Sequence, residues 1–408
     1  MSAPQASVCV LPTLQAEEDL LDTFYKLVWY IAPYRDQLLS LGFPLHPRLL
    51  MHYPTPASLL ARPLPSHVDP ACQRLAHELI DRLHFVPSEC PAYWEMLGNA
   101  QMFFLWDEQG YQNSLDALTC AATFSKTLIR ADRHRNPYDG FTEVDGMTGI
   151  SRHSVSDAQN GIQRFAELAR QVKDEGIDKC YIIGTGPNLQ LMRDHDFSDG
   201  YSIITTSLLG NRDFIARIQP RLVCIVDCVY QLGFTTYAQR VREELIPALY
   251  QYPRLQVFTR LQFAPLMRQS LPADLHDRII ACPMLGNVPF NADLLRGFYT
   301  RDIPNVLTIA MLPVAATLAR TIEVMGCDGS PAPTRDVWDY APGANYTGEM
   351  QILDIAHPAI RQRDNRAYLN QHNAQVAEVL SIIENGGCSV RSLTPSHIPA
   401  LAQRQQSA

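Results

Sequence analysis

The chain lacks the features that mark several large functional classes. There is no surplus of positive charge. Its 34 Lys and Arg stand against 42 Asp and Glu, a net charge of -8. That argues against broad nucleic-acid binding, which relies on a basic surface. No apolar run approaches the length of a membrane-spanning helix. The first residues, Met1-Ser-Ala-Pro-Gln-Ala-Ser7, have neither a basic start nor an apolar core, so no signal peptide is expected. There is no Cys-x-x-Cys pair. The ten cysteines are scattered, several of them, such as Cys180 and Cys224, in apolar runs. They are expected to be reduced, buried thiols of a cytoplasmic protein. Neither His-Glu-x-x-His nor a Gly-Lys-Ser/Thr phosphate loop occurs. Asp194-His195-Asp196 spells the Asp-x-Asp pair of metal-dependent glycosyltransferases, but it lies away from any strand end. It reads as a solvated helix terminus, and no metal site or bound cofactor is expected.

What is present is a globular composition, 46% hydrophobic and 19% charged over 408 residues, enough for two domains. The most informative stretch runs from Lys179 to Gln190. A short apolar run, Tyr181 to Ile183, breaks into Gly184-Thr-Gly186-Pro187-Asn188. The pattern predicts a buried strand, a tight turn and a helix entered through proline. Two glycines let backbone N–H groups approach an anion, and a helix start adds positive partial charge, a geometry suited to a nucleotide phosphate. The dinucleotide fingerprint is incomplete. Leu189 stands where a third glycine belongs, and the next strand ends in the hydroxyls of Thr205-Thr206-Ser207 rather than in an acid.

Apolar runs at 180–184, 202–206, 222–227, 255–259, 278–281, 321–326 and 388–393 alternate with helical segments that include 236–246, 306–320 and 365–384. This predicts an α/β fold with a doubly wound, mainly parallel, Rossmann-like sheet over 151–400. Residues 1–150 are expected to form a mostly helical N-terminal region. Helices are predicted around Leu20–Ile31 and Leu75–Leu83, irregular chain from Pro44 to Pro70, and a turn-rich boundary over 140–154. The aromatics from Trp94 to Leu105 are assigned to packing. No internal repeat is evident.

Ligands of such sheets bind outside the carboxyl ends of the strands. That singles out Gly184 to Asn188, Thr206, Ser207, Asp227 and Asp328. Asp227, ending Leu222-Val-Cys-Ile-Val-Asp227, reads equally as a ribose ligand or as a cap of the following turn. Asp328 closes Thr321-Ile-Glu-Val-Met-Gly-Cys-Asp328. Pro313 in the apolar helix before it marks a kink or a first turn. The stretch from Ser330 to Gly348 carries Trp338, Tyr340 and Tyr346, and reads as a lid or as a plain surface connection.

Gly184-Thr-Gly-Pro-Asn-Leu189 resembles the Asn-Gly-Pro-Ser-Leu turn of bacterial sialyltransferases of the Campylobacter type. It also resembles the related domain of motility-associated, flagellin-modifying proteins and of archaeal hydroxymethylpterin diphosphokinases. Met325-Gly-Cys-Asp-Gly329, the histidine-bearing segment Tyr368–Leu380 and the closing strand that leads into Thr394-Pro-Ser396 are similar to family features in the same order. The resemblance covers about residues 155–400.

It implies a metal-independent, inverting glycosyltransferase. The donor would be a CMP-activated sugar acid, sialic acid-like or Kdo-like, and the acceptor a surface glycan or a protein. It further implies that Gly184, Gly186, Pro187 and Asn188 hold the nucleotide phosphate. Thr206 or Ser207 stands in place of a nucleotide-binding asparagine, and Thr308 near a hydroxyl of the family's helix. Tyr340 and Tyr346 would stabilise the leaving phosphate, and His372 would be the general base, with His357 its rival. Peripheral membrane association is compatible with this reading, and the oligomeric state is left open. Two alternatives remain: a pterin-type diphosphokinase requiring ATP and magnesium, and a non-catalytic nucleotide-binding or scaffold protein.

Overall fold

The structure, a computed structural model, describes residues 6–88, 90–107, 110, 118–119, 121–122, 125–131, 141–150, 153–331, 341, 352, 355 and 363–405. The chain divides into two compact units. One comprises 1–154, 232–239 and 349–362, and the other 155–231, 240–348 and 363–408. The architecture is α/β, with a parallel sheet in each unit.

The second unit is built on seven strands. They are β6 (Lys179–Ile183), β7 (Tyr201–Thr205), β8 (Leu222–Ile225), β9 (Gln256–Arg260), β10 (Ile279–Cys282), β13 (Thr321–Met325) and β14 (Ser389–Ser392). A small parallel pair, β11 (Met284–Leu285) with β12 (Thr300–Arg301), lies between β10 and β13 in sequence. The sheet order is β10-β9-β8-β7-β6-β13-β14, all neighbours parallel. The chain starts at β6, winds outward to β10, then returns to β6's other side and winds outward again. That is a doubly wound sheet whose order reverses between β6 and β13. Its inner strands β7 and β8 are buried almost throughout, as strands covered on both faces are, whereas the edge strand β14 alternates buried and exposed residues. On one face Cys180, Ile182, Ile203, Leu222, Ile322, Val324 and Val390 pack with Phe165, Leu168 and Val172 of the helix His153–Asp174. The same core takes in Leu307–Ala315 and Val376, Val379, Leu380 and Ile383 of the helix Asn365–Asn385.

Every strand expected in this unit is present, displaced by at most a few residues. Pro313 sits in the first turn of the helix Leu312–Leu318, directly after a π-turn over Leu307–Met311 in which the Leu312 N–H reaches Leu307 O. Proline has no N–H to give and its ring crowds the carbonyl four residues back, so a widened turn ahead of it relieves both problems.

The first unit departs more from expectation. Its helices Glu17–Ile31 and Ala71–Glu78 were anticipated, but it also holds a five-stranded parallel sheet. The strands are β1 (Ala6–Leu11), β2 (Leu38–Leu45), β3 (Leu83–Pro87), β4 (Met102–Leu105) and β5 (Thr127–Arg130), in the order β3-β2-β1-β4-β5. The proline-dense stretch is irregular only in part: it ends β2 and forms the short helices Pro47–His52 and Pro56–Leu60, each entered through its proline, while 61–70 holds neither helix nor strand. The expected boundary turn is the helix Phe141–Ile150. Of the aromatic stretch, Phe103 and Phe104 are fully buried, whereas Trp94 is 46% exposed.

Candidate functional site

Three of the sequence motifs meet at the reversal point of the seven-stranded sheet. There the turns after β6, β13 and β14 lie side by side. The Gly184 N–H donates to Met325 O (2.8 Å) and the Gly186 N–H to Gly326 O (2.7 Å). The Asn188 N–H donates to Oδ2 of Asp328 (2.7 Å), and its Nδ2 to Pro395 O (3.1 Å). The Gly326 N–H donates to Oγ1 of Thr394 (2.9 Å), and the Ser396 hydroxyl to Cys327 O (2.7 Å).

The glycines are required by this close approach. A Cβ at Gly184 would overlap the carbonyl oxygen of Gly326, and one at Gly186 would overlap the Asp328 carboxylate. Gly326 has φ +61°, and a Cβ there would lie 2.8 Å from Gly184 O.

Three of the amides expected to cradle a phosphate, those of Gly184, Gly186 and Asn188, are already bonded within the protein, and Pro187 has no N–H. The following segment is a 3-10 helix, Pro187–Met192, too short to build a helix dipole. What the turns build instead is a carboxylate site. Asp328 is 7% exposed; Oδ2 takes the Asn188 N–H and Oδ1 is buried without a hydrogen bond. Burial raises its pKa, while the Asn188 N–H and the charge of His397 act in the opposite sense. Burial, and then the neighbouring Asp328, push the Cys327 thiol up to about 12, so this cysteine is no ready nucleophile.

A second cluster stands on the same edge of the sheet. The helix Asn365–Asn385 runs back antiparallel to β13 and β14. At 1.5 Å per residue it is about 31 Å long, against roughly 16 Å for a five-residue strand. Its first turns therefore overhang the carboxyl ends. Those turns carry Tyr368 and His372, whose rings are stacked at 6.1 Å and 7°. Asn305, with φ 87°, precedes the π-turn and donates Nδ2 to the Tyr368 hydroxyl (3.5 Å). The Thr308 hydroxyl is buried and bonds back to Pro304 O (2.9 Å) and Asn305 O (3.1 Å), so its proton stays in its own turn.

His372, the expected general base, is 1% exposed. Burial lowers its pKa to about 4, so the imidazole is neutral at physiological pH. The Thr206 hydroxyl is buried and accepts from Gln231 Nε2 (2.7 Å), while Ser207 is half-buried beside it. Asp227 heads the short helix Cys228–Gln231, its carbonyl accepting from the N–H groups of Tyr230 (3.3 Å) and Gln231 (3.1 Å). These are main-chain bonds, and both readings of the Asp227 carboxylate stay open.

Tyr340, Tyr346 and the rival His357 lie outside the described residues. Ala341, next to Tyr340 in sequence, donates its N–H to Thr185 O (2.7 Å), at the glycine turn. Asp194-His195-Asp196 follows the 3-10 helix in irregular chain, where Asp196 bonds the Ser198 N–H. Sequence reasoning missed Asn305 and Arg363. A Pro-Asn pair ahead of an apolar helix was the available signal for the first.

Among the described residues no three His, Cys, Asp or Glu side chains are grouped to hold a metal ion, and no helix is long and apolar enough to cross a membrane. Compared with protein-family models, curated proteins and solved structures, the chain matches none.

Proposed function

We propose that the chain is an inverting glycosyltransferase that uses a CMP-activated sugar acid as donor and a glycan or protein hydroxyl as acceptor. The observation that carries this reading is the junction of three strand-end turns around Asp328 at the reversal point of the sheet. A buried carboxylate oxygen with no donor suits a hydroxyl or amino group of a nucleoside, and ligands of such sheets bind at this point.

In the reaction an acceptor oxygen attacks the anomeric carbon, the bond from that carbon to the phosphate oxygen breaks, and CMP leaves. His372 takes the acceptor proton. The neutral imidazole can accept it, but burial makes the imidazolium unfavourable by roughly 3 kcal/mol relative to a free histidine. A bound anionic donor offsets this by stabilising the positive ring, so the base becomes effective once the donor is in place. A ketosidic carbon bearing a carboxylate ionises readily toward a phosphate leaving group, so the reading needs no metal.

The test is transfer from CMP-N-acetylneuraminate, with donor hydrolysis as the acceptor-free readout. His372→Ala is expected to lower turnover by about 10²–10⁴-fold with CMP affinity little changed, and activity is expected to survive EDTA. Full dependence on magnesium together with ATP turnover would replace this reading by phosphoryl transfer.

A further inference from the structure

The N–H groups of Gly184, Gly186 and Asn188 are committed internally, so an anionic ligand at this edge of the sheet gains from a cation supplied elsewhere. Several arginines of this unit are matched by carboxylates. Arg260 bonds Asp302 (2.8 Å) and Arg301 bonds Glu378 (2.8 Å); Arg221 pairs with Glu175, Arg268 with Asp157 and Arg404 with Glu384. Arg363, like several others, has no carboxylate partner among the described residues, and its surroundings set it apart. Its guanidinium lies over the Tyr368 ring with Cζ 3.8 Å from the centroid, and its Nε donates to Asn365 Oδ1 (3.3 Å). Its Nη2 is buried with no hydrogen-bond partner.

An unmatched, buried donor on a charged group is destabilising unless something completes it. Stacking on Tyr368 fixes the plane of the fork, which presents its Nη edge in one orientation. Tyr368 is stacked in turn on His372, so the arginine is tied by rings to the proposed base. The N-terminal amides of the helix do not compete for this role. Arg366 and Ala367 give their N–H groups to the Asp364 carboxylate.

We propose that Arg363 is the oxyanion-binding residue of this site, its free Nη2 edge taking an oxygen of a phosphate or a carboxylate. The inference rests on the glycosyl-transfer reading for the identity of that ligand, a donor which carries both groups.

The test is calorimetric titration of the full chain and of Arg363→Met, which keeps an apolar stem over Tyr368. The probes are CMP, cytidine, N-acetylneuraminate, ATP and inorganic phosphate. The expected result is a loss of about 10–100-fold in CMP affinity with cytidine unchanged, and Arg363→Lys in between. Loss for CMP alone assigns the phosphate; loss for N-acetylneuraminate alone assigns the carboxylate. If CMP and N-acetylneuraminate fail to bind but ATP or phosphate binds in an Arg363-dependent way, the sugar-donor reading falls and the role of Arg363 stands. Equal binding to both proteins, or no binding of any anion to the natural chain, overturns the inference. Should Arg363→Met fail to fold, Arg363→Gln gives the same comparison.

Discussion

Two sheets in this chain are wound by the same rule and differ where the winding reverses. In the first unit the order β3-β2-β1-β4-β5 reverses between β1 and β4. There the Trp106 N–H donates to Leu11 O (2.8 Å) and its indole Nε1 to Pro12 O (2.8 Å), and the ring is 8% exposed. In the second unit the reversal lies between β6 and β13. It holds two glycine turns pressed backbone to backbone and a carboxylate with an unsatisfied oxygen. The winding creates a crevice in both; side chains decide whether it is filled or kept polar. A tryptophan with its N–H satisfied needs no ligand, whereas a buried carboxylate oxygen with no donor does.

Four substitutions sharpen that contrast. The largest stability effect is expected from Gly184→Ala. The new methyl meets the carbonyl of Gly326, a backbone atom that no rotamer change can move, and the three turns must separate. A loss of about 3 kcal/mol or more is expected in urea unfolding of the second unit. A loss under about 1 kcal/mol would mean that the turns are not locked together.

A comparable effect depends on pH. The folded pKa of His372 lies below its unfolded value near 6.5, so the unfolded chain binds the extra proton between those values. The contribution from neutral, buried His372 is therefore complete above about pH 6.5 and falls as pH drops toward 4, by roughly 3 kcal/mol. His372→Leu should remove that part of the acid sensitivity. An unchanged slope of stability against pH would place His372 in contact with water.

Asp328→Asn acts in opposite senses on stability and on binding. The raised pKa means that the ionised carboxylate disfavours the folded state at neutral pH. Its amide counterpart still accepts the Asn188 N–H, so the ligand-free protein should melt higher. Nucleotide affinity should fall about tenfold or more, because the acceptor meant for the ligand is gone. A variant less stable and equally good at binding would make Asp328 purely structural. The smallest effect belongs to the filled crevice: Trp106→Phe removes one hydrogen bond, about 1 kcal/mol, and should leave ligand binding untouched.

The second unit was legible in sequence because its strands are mostly apolar runs, as in Tyr181–Ile183, set apart by glycine-bearing turns and by helices such as Thr236–Gln251 and Asn365–Asn385. The first unit's strands were not. Leu38–Leu45 contains both Gly42 and Pro44, and Leu83–Pro87 follows a helix so closely that its leucine reads as one more turn of it. In the candidate site the glycines were found for a sound reason, the close approach of backbone. The backbone that approaches them is that of Gly326, with the Asp328 carboxylate beside Gly186. Spacing alone marks a tight turn; it does not say what lies against it. Arg363 carried no signal at all, since an arginine with no carboxylate partner among the described residues is recognised only from placed side chains.

The most direct measurement is amide hydrogen exchange of the full chain with and without CMP, read by peptide mass across both reversal points. The account predicts added protection over 184–190, 326–328 and 394–397, and none over 10–12 and 104–107. Protection at the β1–β4 reversal with none at β6–β13, or no protection by CMP anywhere, would contradict it.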